Sequence, residues 1–271
     1  MDIGKSLAQH GSNNDRVYLM NLDTADAEGM PETLNAIAAR ENYGKISVKV
    51  PERFREIFSR AGYDTEATVP GLYRGRETGY FMRRFLDDKR AVKHNASLVA
   101  DVLKKALAKE TAENIEEVEP YVIRPCAPDD APAMAELYRD VFLTYPFPID
   151  KPEYIISTME DHISYFGAWF DGKLVALSSA EQYPENRFVE MTDFATLPSH
   201  QGKGIASLLL NVMEKAMREK GFLTSYTSAR AASYGMNGVF SKAGYQFGGT
   251  LVNNTCISGH IEHMNIWYKP L

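Results

Sequence analysis

The most regular pattern of apolar positions in the chain begins at Ile205. Apolar side chains recur there at intervals of three and four residues, at Ile205, Leu208, Leu209, Val212, Met213, Ala216 and Met217. This spacing predicts an amphipathic helix that packs one face on a core. Gly221 follows where a helix-ending glycine is expected, and an apolar, strand-like run from Val189 ends at Pro198. Residues 189–220 therefore predict a strand, a short loop and a helix in direct succession.

The loop between this strand and helix has the sequence Gln201-Gly202-Lys203-Gly204-Ile205-Ala206. A helix N-terminus offers unpaired N–H groups and a partial positive charge, and both favour a bound anion. Glycine allows the backbone to approach a bulky anion closely. The spacing differs from that of a P-loop, which has an earlier glycine and a Lys followed by Ser or Thr. We therefore expect an anion-binding loop at residues 201–206.

Periodic patterns elsewhere predict a mixed α+β protein of two domains. Residues 1–16 are polar and are predicted to form a flexible tail, and residues 17–86 an N-terminal α/β domain. A connecting helix and an acidic linker are predicted over residues 87–120. Strand and helix patterns resume over residues 121–271 and include a hairpin around the Asp171-Gly172 turn. A chain of 271 residues is long enough for this division.

A short internal repeat links the two predicted domains. The sequence FSRAGY at residues 58–63 recurs as FSKAGY at residues 240–245, and the same offset pairs Met82 with Met264. The predicted order of strands and helices recurs as well, so we infer that the first domain is a degenerate copy of the C-terminal half of the second. Chance is the competing interpretation, because Ala-Gly-Tyr is ordinary after an amphipathic helix. Without a glycine loop, the first domain would serve packing, dimerisation or covering of an active site.

Composition and charge exclude several classes of protein. The chain is 44% hydrophobic and 24% charged, as in ordinary globular proteins, and no apolar run approaches the roughly 18 residues of a membrane span. Its polar N-terminus lacks the apolar core of a signal peptide, and the net charge of -6 argues against nucleic acid as a partner. Two distant cysteines, Cys126 and Cys256, indicate neither a disulfide scaffold nor a zinc site. We expect a cytoplasmic protein that uses no metal and binds neither nucleic acid nor membrane; a homodimer is compatible with the sequence.

Two segments of the second domain resemble the GCN5-related N-acetyltransferase (GNAT) superfamily. Gln201, Gly204 and Ala206 match that family's glycine signature, and residues 237–245 resemble its later helix, which starts with Asn and ends in Gly and an aromatic residue. The resemblance covers residues 121–271. It implies an acyl-CoA N-acyltransferase fold, with a central mixed sheet flanked by helices, and acetyl-CoA as the cosubstrate. The amine acceptor is expected to be a small molecule.

A narrower resemblance is to the β-lysine N-acetyltransferase family, which makes Nε-acetyl-β-lysine. It is carried by the segments 69–73 (VPGLY), 80–82 (YFM), 191–196 (MTDFAT), 229–237 (ARAASYGMN) and 264–269 (MNIWYK). The acceptor β-lysine is implied by this resemblance only, since no residue spacing identifies it. A polyamine, lysine, another amine or a protein amine remains an alternative acceptor. A regulatory module that binds acyl-CoA without turnover is an alternative of another class.

The GNAT resemblance also implies where acetyl-CoA would bind. The N–H groups of the glycine loop would hold the pyrophosphate, and the end of the preceding strand would hold the pantetheine arm. An N–H of Thr196 or Leu197 would stabilise the oxyanion, and Asn237 would bond either the pantetheine or the strand ends. The expected cofactor-binding residues are Ala195, Thr196, Leu197, Gln201, Gly202, Lys203, Gly204, Ile205, Ala206 and Asn237.

Acetyl transfer requires an unprotonated amine, although an alkylamine with a pKa of about 10.4 is almost wholly protonated at neutral pH. A carboxylate can act as the base, and Glu190 and Asp193 lie in the strand that leads to the glycine loop. They are an odd number of residues apart and would face opposite sides of a regular strand, so either is a candidate. Val239 and Phe240 occupy the region where many family members carry a tyrosine acid. Tyr234 or water would therefore protonate the leaving thiolate.

The remaining candidates concern the acceptor. Glu181 ends the strand before Glu190 and is a candidate for binding the amine. Tyr145 and Phe147 lie in a loop that commonly forms the acceptor wall in the resembling fold, and a packed surface loop is the alternative. An amino acid acceptor would also need a cation for its carboxylate. Four arginines could supply it, and the sequence does not choose among Arg124, Arg139, Arg187 and Arg230.

Overall fold

Thirteen strands form one continuous mixed sheet in the computed structural model, which describes residues 1–111 and 120–271. Most of the predicted acidic linker falls at residues 112–119 and lies outside the described residues. The N-terminal half contains β1 (Asp2–Ile3), β2 (Ser6–Gly11), β3 (Arg16–Asn21), α1 (Met30–Glu41), β4 (Lys45–Pro51), α2 (Arg55–Arg60), β5 (Asp64–Tyr73), β6 (Glu77–Phe85), α3 (Asp88–Ala91) and α4 (Ala96–Leu107).

The C-terminal half continues the same sheet. It contains β7 (Val122–Pro125), α5 (Ala131–Val141), α6 (Pro152–Asp161), β8 (Ile163–Phe170), β9 (Lys173–Tyr183), β10 (Phe188–Thr196), α7 (Ile205–Glu219), β11 (Thr224–Arg230), α8 (Tyr234–Lys242), β12 (Gln246–Ile257) and β13 (His260–Pro270). The predicted hairpin is confirmed, because β8 and β9 pair antiparallel across a turn in which Asp171 and Gly172 both have positive φ.

The two halves repeat one topology. In the first, β3 and β4 are parallel, and β6 and β5 follow antiparallel; in the second, β10 and β11 are parallel, and β13 and β12 follow antiparallel. The central part of the sheet has the order β3-β4-β6-β5-β12-β13-β11-β10, which is symmetric about its middle. This match supports the duplication hypothesis.

The halves meet where β5 pairs with β12, with Ala67 opposite Gly249. Gly249 has a φ of 143°, and a Cβ there would collide with the backbone of Glu66 and Ala67. Only glycine permits so close an approach of the two strands. The sheet therefore runs unbroken from one half to the other.

Each half has a core on the sheet. In the first, Leu34, Ile37 and Ala38 of α1 pack with the alternating Ile46 and Val48 of β4. In the second, the predicted stripe of α7 is confirmed, because all of its residues except the partly buried Val212 and Ala216 are buried against the sheet. Amphipathic patterning thus decides which face of each helix is covered.

Two predictions about the ends of the first half are wrong. Residues 1–16 are not a flexible tail, because β1 and β2 add two antiparallel strands to the edge beside β3. Asp26 accepts hydrogen bonds from the Lys5 N–H and the Ser6 hydroxyl, which ties this polar segment down. The predicted connecting helix is divided into α3 and α4, with Asn95 in a left-handed conformation (φ 53°) between them. None of the helices described is long and apolar enough to cross a membrane.

Candidate active site

A cavity opens where two central strands separate. β10 and β11 pair in parallel from Phe188 opposite Thr224 to Glu190 opposite Tyr226, and no pairing between them follows. A cavity of about 390 Å³ lies beyond this point, a size typical of small-molecule sites. Both halves of the protein line it: strands of the first half contribute Gln9, Arg16, Tyr18 and Phe81, and the second contributes Tyr145, Phe147, Glu181, Glu190, Asp193 and Tyr226 among others.

Three polar side chains form a row across the sheet at the mouth of the separation. Glu181 on β9 lies opposite Glu190 on β10, which lies opposite Tyr226 on β11. Directly opposed residues on adjacent strands place their side chains side by side. The two carboxyls are therefore close neighbours, and the Tyr226 hydroxyl donates a hydrogen bond to Glu190 Oε2.

This environment keeps the Glu190 carboxyl protonated up to a higher pH than an ordinary glutamate. Burial, reinforced by the negative charge of Glu181, raises the pKa of Glu190 to about 7. The positive charge of Lys49 and the hydrogen bond from Tyr226 act in the opposite direction. A carboxyl with a pKa near neutrality is well matched to accept a proton from an amine at physiological pH.

The pKa of Glu181 is shifted in the opposite direction to that of Glu190. Burial favours its neutral form, but the neighbouring His162, the charge of Lys49 and the Tyr183 hydroxyl together lower the pKa of Glu181. His162 Nε2 lies 3.8 Å from Glu181 Oε1, and the Tyr183 hydroxyl donates to the same oxygen. The row therefore contains one carboxylate that stays charged beside another that titrates near neutrality.

The cation of this group, Lys49, comes from the other half of the protein. It lies on β4, is 1% exposed and donates from Nζ to the Tyr226 hydroxyl at 2.9 Å. Its ammonium also sits 4.2 Å from the centroid of the Tyr183 ring. Sequence reasoning missed Lys49, because Lys45, Ser47 and Lys49 alternate with apolar residues and so resemble an exposed strand face. In the structure that face is buried.

A β-bulge brings Asp193 into the same cavity as Glu190. Thr192 lies opposite Ser179 and Ala195 opposite Leu177, so β10 has one extra residue here, and Asp193 has a φ of 55°. The bulge breaks the alternation of a regular strand, so the expected separation onto opposite faces does not hold. Both carboxyls line the cavity.

Asp193 is held more firmly than Glu190. Its Oδ1 accepts from the Tyr145 hydroxyl and its Oδ2 from the Ser179 hydroxyl at 2.5 Å. Burial raises the pKa of Asp193, and these hydrogen bonds oppose the shift. Glu190 Oε1, by contrast, has no hydrogen-bond partner among the residues that the structure describes. One carboxyl is fully engaged, and the other keeps a free oxygen.

The glycine loop has the conformation of an open anion site. Gly202 and Gly204 have φ values of 76° and 79°, and a Cβ added to either meets no atom within 4 Å. Within the described parts of the chain, the N–H groups from Gly202 to Ala206 have no acceptor, as expected at a helix N-terminus. Gln201 Nε2 donates to the Thr196 carbonyl oxygen at 3.1 Å and ties the loop to the end of β10.

Three of the other expected cofactor and acid residues are engaged elsewhere. The Leu197 N–H donates to the Val175 carbonyl oxygen at 2.9 Å. Asn237 is fully buried; its Nδ2 donates to the carbonyl oxygens of Arg230 and Ser233, and its Oδ1 accepts from Asn265 and Trp267. Tyr234 is 45% exposed, donates to Asp101 and is not among the residues that line the cavity. Asn237 thus bonds the end of β11 and strand β13, the second of its two expected roles, whereas Tyr234 is not brought together with the carboxylates.

The two residues expected in the acceptor wall, Tyr145 and Phe147, do line the cavity. Among the four candidate arginines, Arg230 lines it too. Arg16 of β3 was not among those candidates and also faces the cavity. The other three arginines bond within the protein, Arg124 with Asp130, Arg139 with the Asp150 carbonyl oxygen and Arg187 with the Gly221 carbonyl oxygen.

Comparisons with known proteins identify the family of the chain. The profile of the "Acetyltransferase (GNAT) family" matches residues 131–245. The chain is 37% identical over 99% of its length to the β-lysine N(6)-acetyltransferase of Methanococcus maripaludis, covering 97% of that protein. It is 34% identical over 90% of its length to the β-lysine N(6)-acetyltransferase of Methanosarcina mazei, again covering 97%.

A solved structure shows the same fold in the C-terminal half. An N-acetyltransferase from Staphylococcus aureus Mu50 superposes with a TM-score of 0.50 and 20% identity, over 56% of this chain and 99% of that one. The expected mixed sheet flanked by helices is therefore confirmed. Together with the nearly full-length relatives, these matches place the protein among the GNAT acetyltransferases, which use acetyl-CoA. The chain is an N-acetyltransferase and belongs to the family of the proteins named β-lysine N(6)-acetyltransferase.

Proposed function

We propose that the protein transfers the acetyl group of acetyl-CoA to the N6 amine of β-lysine, giving Nε-acetyl-β-lysine. The observation that carries the proposal is the Glu190 carboxyl, which lies where β10 and β11 separate and has a pKa of about 7. The choice of β-lysine rests on the names of these two relatives, which align over at least 90% of the chain.

The glycine loop supports the binding of acetyl-CoA. Its free N–H groups and the open space around Gly202 and Gly204 fit a pyrophosphate, which needs several donors close together. Ala195 and Thr196, at the end of β10, would lie along the pantetheine arm. Bound there, acetyl-CoA supplies an activated carbonyl carbon, and the chain supplies the geometry and the proton transfers.

Glu190 is assigned as the base and Asp193 as a residue that positions the acceptor. A base needs an oxygen free to take the proton, and Glu190 Oε1 has none of the hydrogen bonds that occupy both oxygens of Asp193. Its pKa of about 7 keeps a large fraction deprotonated at neutral pH while leaving it basic enough to accept a proton. Glu181, which stays ionised, attracts the incoming ammonium.

The reaction then follows from these positions. Glu190 takes a proton from the N6 ammonium, and the freed lone pair attacks the thioester carbonyl carbon. As the C–N bond forms, the C–S bond breaks and the thiolate departs, and the nitrogen releases its second proton to water to give the neutral amide. A thiolate with a reference pKa of about 8.5 is a tolerable leaving group and can take its proton from water. Tyr234, at the surface beside Asp101, is not needed for this step.

The proposal is tested by a kinetic screen with acetyl-CoA and a panel of amines. The panel contains β-lysine, α-lysine, a polyamine and a lysine-containing peptide, and fragmentation of the product by mass spectrometry identifies the acetylated nitrogen. We expect the highest kcat/KM for β-lysine, with acetylation at N6. Rapid turnover of another amine together with failure of β-lysine would contradict the acceptor, and acetylation at the β-amine would contradict the position.

A further inference from the structure

Arg16 is a buried cation that forms no direct ion pair with a carboxylate in the described part of the protein. It begins β3, is 3% exposed and lines the cavity. Its Nη1 donates to the Asn254 carbonyl oxygen at 2.6 Å and lies 3.3 Å from Thr255 Oγ1. Its Nε is buried and has no acceptor among the described residues, and none of their carboxylates forms an ion pair with it. A guanidinium has five N–H donors, so much of its capacity is unused.

The neighbouring buried cations, unlike Arg16, each pair with a carboxylate. Lys45 pairs with Glu66 at 2.8 Å, and Arg90 pairs with Asp15 at 2.6 Å. Burial lowers the pKa of Arg16 to about 10, so it still carries its charge at neutral pH. An unpaired buried charge is costly, and a bound anion in the cavity would offset that cost.

A second unsatisfied group lies on the same face of the sheet. Gln9 of β2 is directly opposite Tyr18 of β3, and its Oε1 is buried without a donor among the described residues. Arg16 and Tyr18 are two apart on β3 and so share a face, and the Arg16 guanidinium lies 4.9 Å from the Tyr18 ring centroid. Gln9, Tyr18 and Arg16 all line the cavity. A free acceptor and a free cationic donor thus sit on one patch of its wall.

This patch complements the head group of an amino acid. A carboxylate accepts from a guanidinium, and an ammonium donates to an amide oxygen. The acidic row of Glu181 and Glu190 comes from the other half of the protein and suits the second, distal amine. The walls of the cavity therefore carry the charge pattern of a diamino acid, which a polyamine without a carboxylate would match less well.

We propose that Arg16 binds the carboxylate of the acceptor and Gln9 its neighbouring amino group, so that the N-terminal half determines specificity for an amino acid. The inference rests on the proposed function, because it takes this cavity as the acceptor site. Arg16 is a binding residue here and takes no part in proton transfer.

The test compares β-lysine with β-lysinamide, in which the carboxylate is replaced by a neutral amide. For the wild-type enzyme we expect kcat/KM to favour the acid by about 100-fold, the usual effect of one buried charge-assisted pair. In Arg16→Gln this preference should vanish, mainly through a higher KM for β-lysine, whereas turnover of the amide should change by less than about threefold. Arg16→Lys should retain part of the preference for β-lysine over its amide, because lysine keeps the positive charge but lacks the two parallel N–H donors of a guanidinium.

Arg230→Gln is the matched control, since Arg230 lines the same cavity and was itself a candidate for the carboxylate. Its acid-to-amide ratio should equal that of the wild type. Equal losses on both substrates in Arg16→Gln, or a ratio that moves only in Arg230→Gln, would overturn the assignment. Calorimetric titration with acetyl-CoA and the melting temperature verify that each variant is folded.

Failure of the proposed function gives a different result. If wild-type enzyme does not use β-lysine, the acceptor found in the screen replaces it. If that acceptor has a carboxylate, the same comparison with its amide decides the role of Arg16. If it has none, both proposals are wrong.

Discussion

The ammonium of Lys49 and the carboxyl of Glu190 are joined through a single hydroxyl, that of Tyr226. Lys49 Nζ donates to it at 2.9 Å, and the hydroxyl in turn donates to Glu190. Lys49 comes from β4 of the first half, and the other two residues come from the second half. A residue of the half without a glycine loop therefore contributes to the electrostatics of the proposed base, after burial and the charge of Glu181.

Replacement of Lys49 should shift the pH dependence of catalysis. The positive charge of Lys49 lowers the pKa of Glu190, so Lys49→Met should raise that pKa and move the acid limb of the kcat/KM profile upward by about one pH unit. Lys49→Arg retains the charge and should leave the limb closer to its wild-type position. A loss of activity in Lys49→Met with the limb unmoved would mean that Lys49 acts only through packing.

The two carboxyls of the cavity should be separable by their pH profiles. Glu190→Gln removes the base, and we expect kcat to fall by about 100- to 10,000-fold with loss of the acid limb. Asp193→Asn disturbs the positioning of the acceptor, so its profile should keep the limb near pH 7 while kcat/KM falls. The reverse pattern would assign the base to Asp193. Both are measured as initial rates of thiol release.

Glu190 should also lower the stability of the protein at high pH. Its folded pKa of about 7 lies above the ordinary value of 4.5, so between these pH values the unfolded chain binds fewer protons than the folded one, and stability falls as the pH rises. Glu190→Gln removes this loss and should stabilise the protein by on the order of 2 kcal/mol at pH 8 relative to wild type. At pH 4, where the carboxyl is protonated in both states, the two should differ little. Thermal unfolding at both pH values measures the effect, and a stabilisation of equal size at both would contradict it.

The glycine loop makes a prediction about acetyl-CoA. Gly204 has a φ of 79°, which a branched residue adopts only with strain, and its Cα faces open space where the anion would approach. Gly204→Val should raise the KM for acetyl-CoA by at least about tenfold. Gly172→Ala, at another positive-φ glycine with open surroundings in the β8–β9 turn, controls for strain alone. Unchanged acetyl-CoA affinity of Gly204→Val by calorimetry would remove the loop from the cofactor site.

The sequence predicted local features well. The stripe that starts at Ile205 and the Asp171-Gly172 hairpin depend on nearest-neighbour patterns, and both occur as expected. The strand of Asp193 was predicted without its bulge, because the extra residue is visible only against the partner strand β9.

Contacts between the two halves could not be predicted from the sequence. Lys49 and Arg16 resemble the exposed polar positions of an alternating strand, and their burial follows from the docking of one half on the other. Tyr234 was chosen for its place along the helix, but its side chain points to Asp101 at the surface. Residues that act across the two halves therefore escape a search for motifs within one segment.

The symmetric sheet has a consequence for how this enzyme can change over time. Substitutions near Gln9 and Arg16 change the N-terminal wall of the cavity without touching the glycine loop, which lies in the C-terminal half. Under the proposed roles, new acceptors would arise by divergence of the N-terminal half, while the glycine loop that would bind the acyl donor stays unchanged.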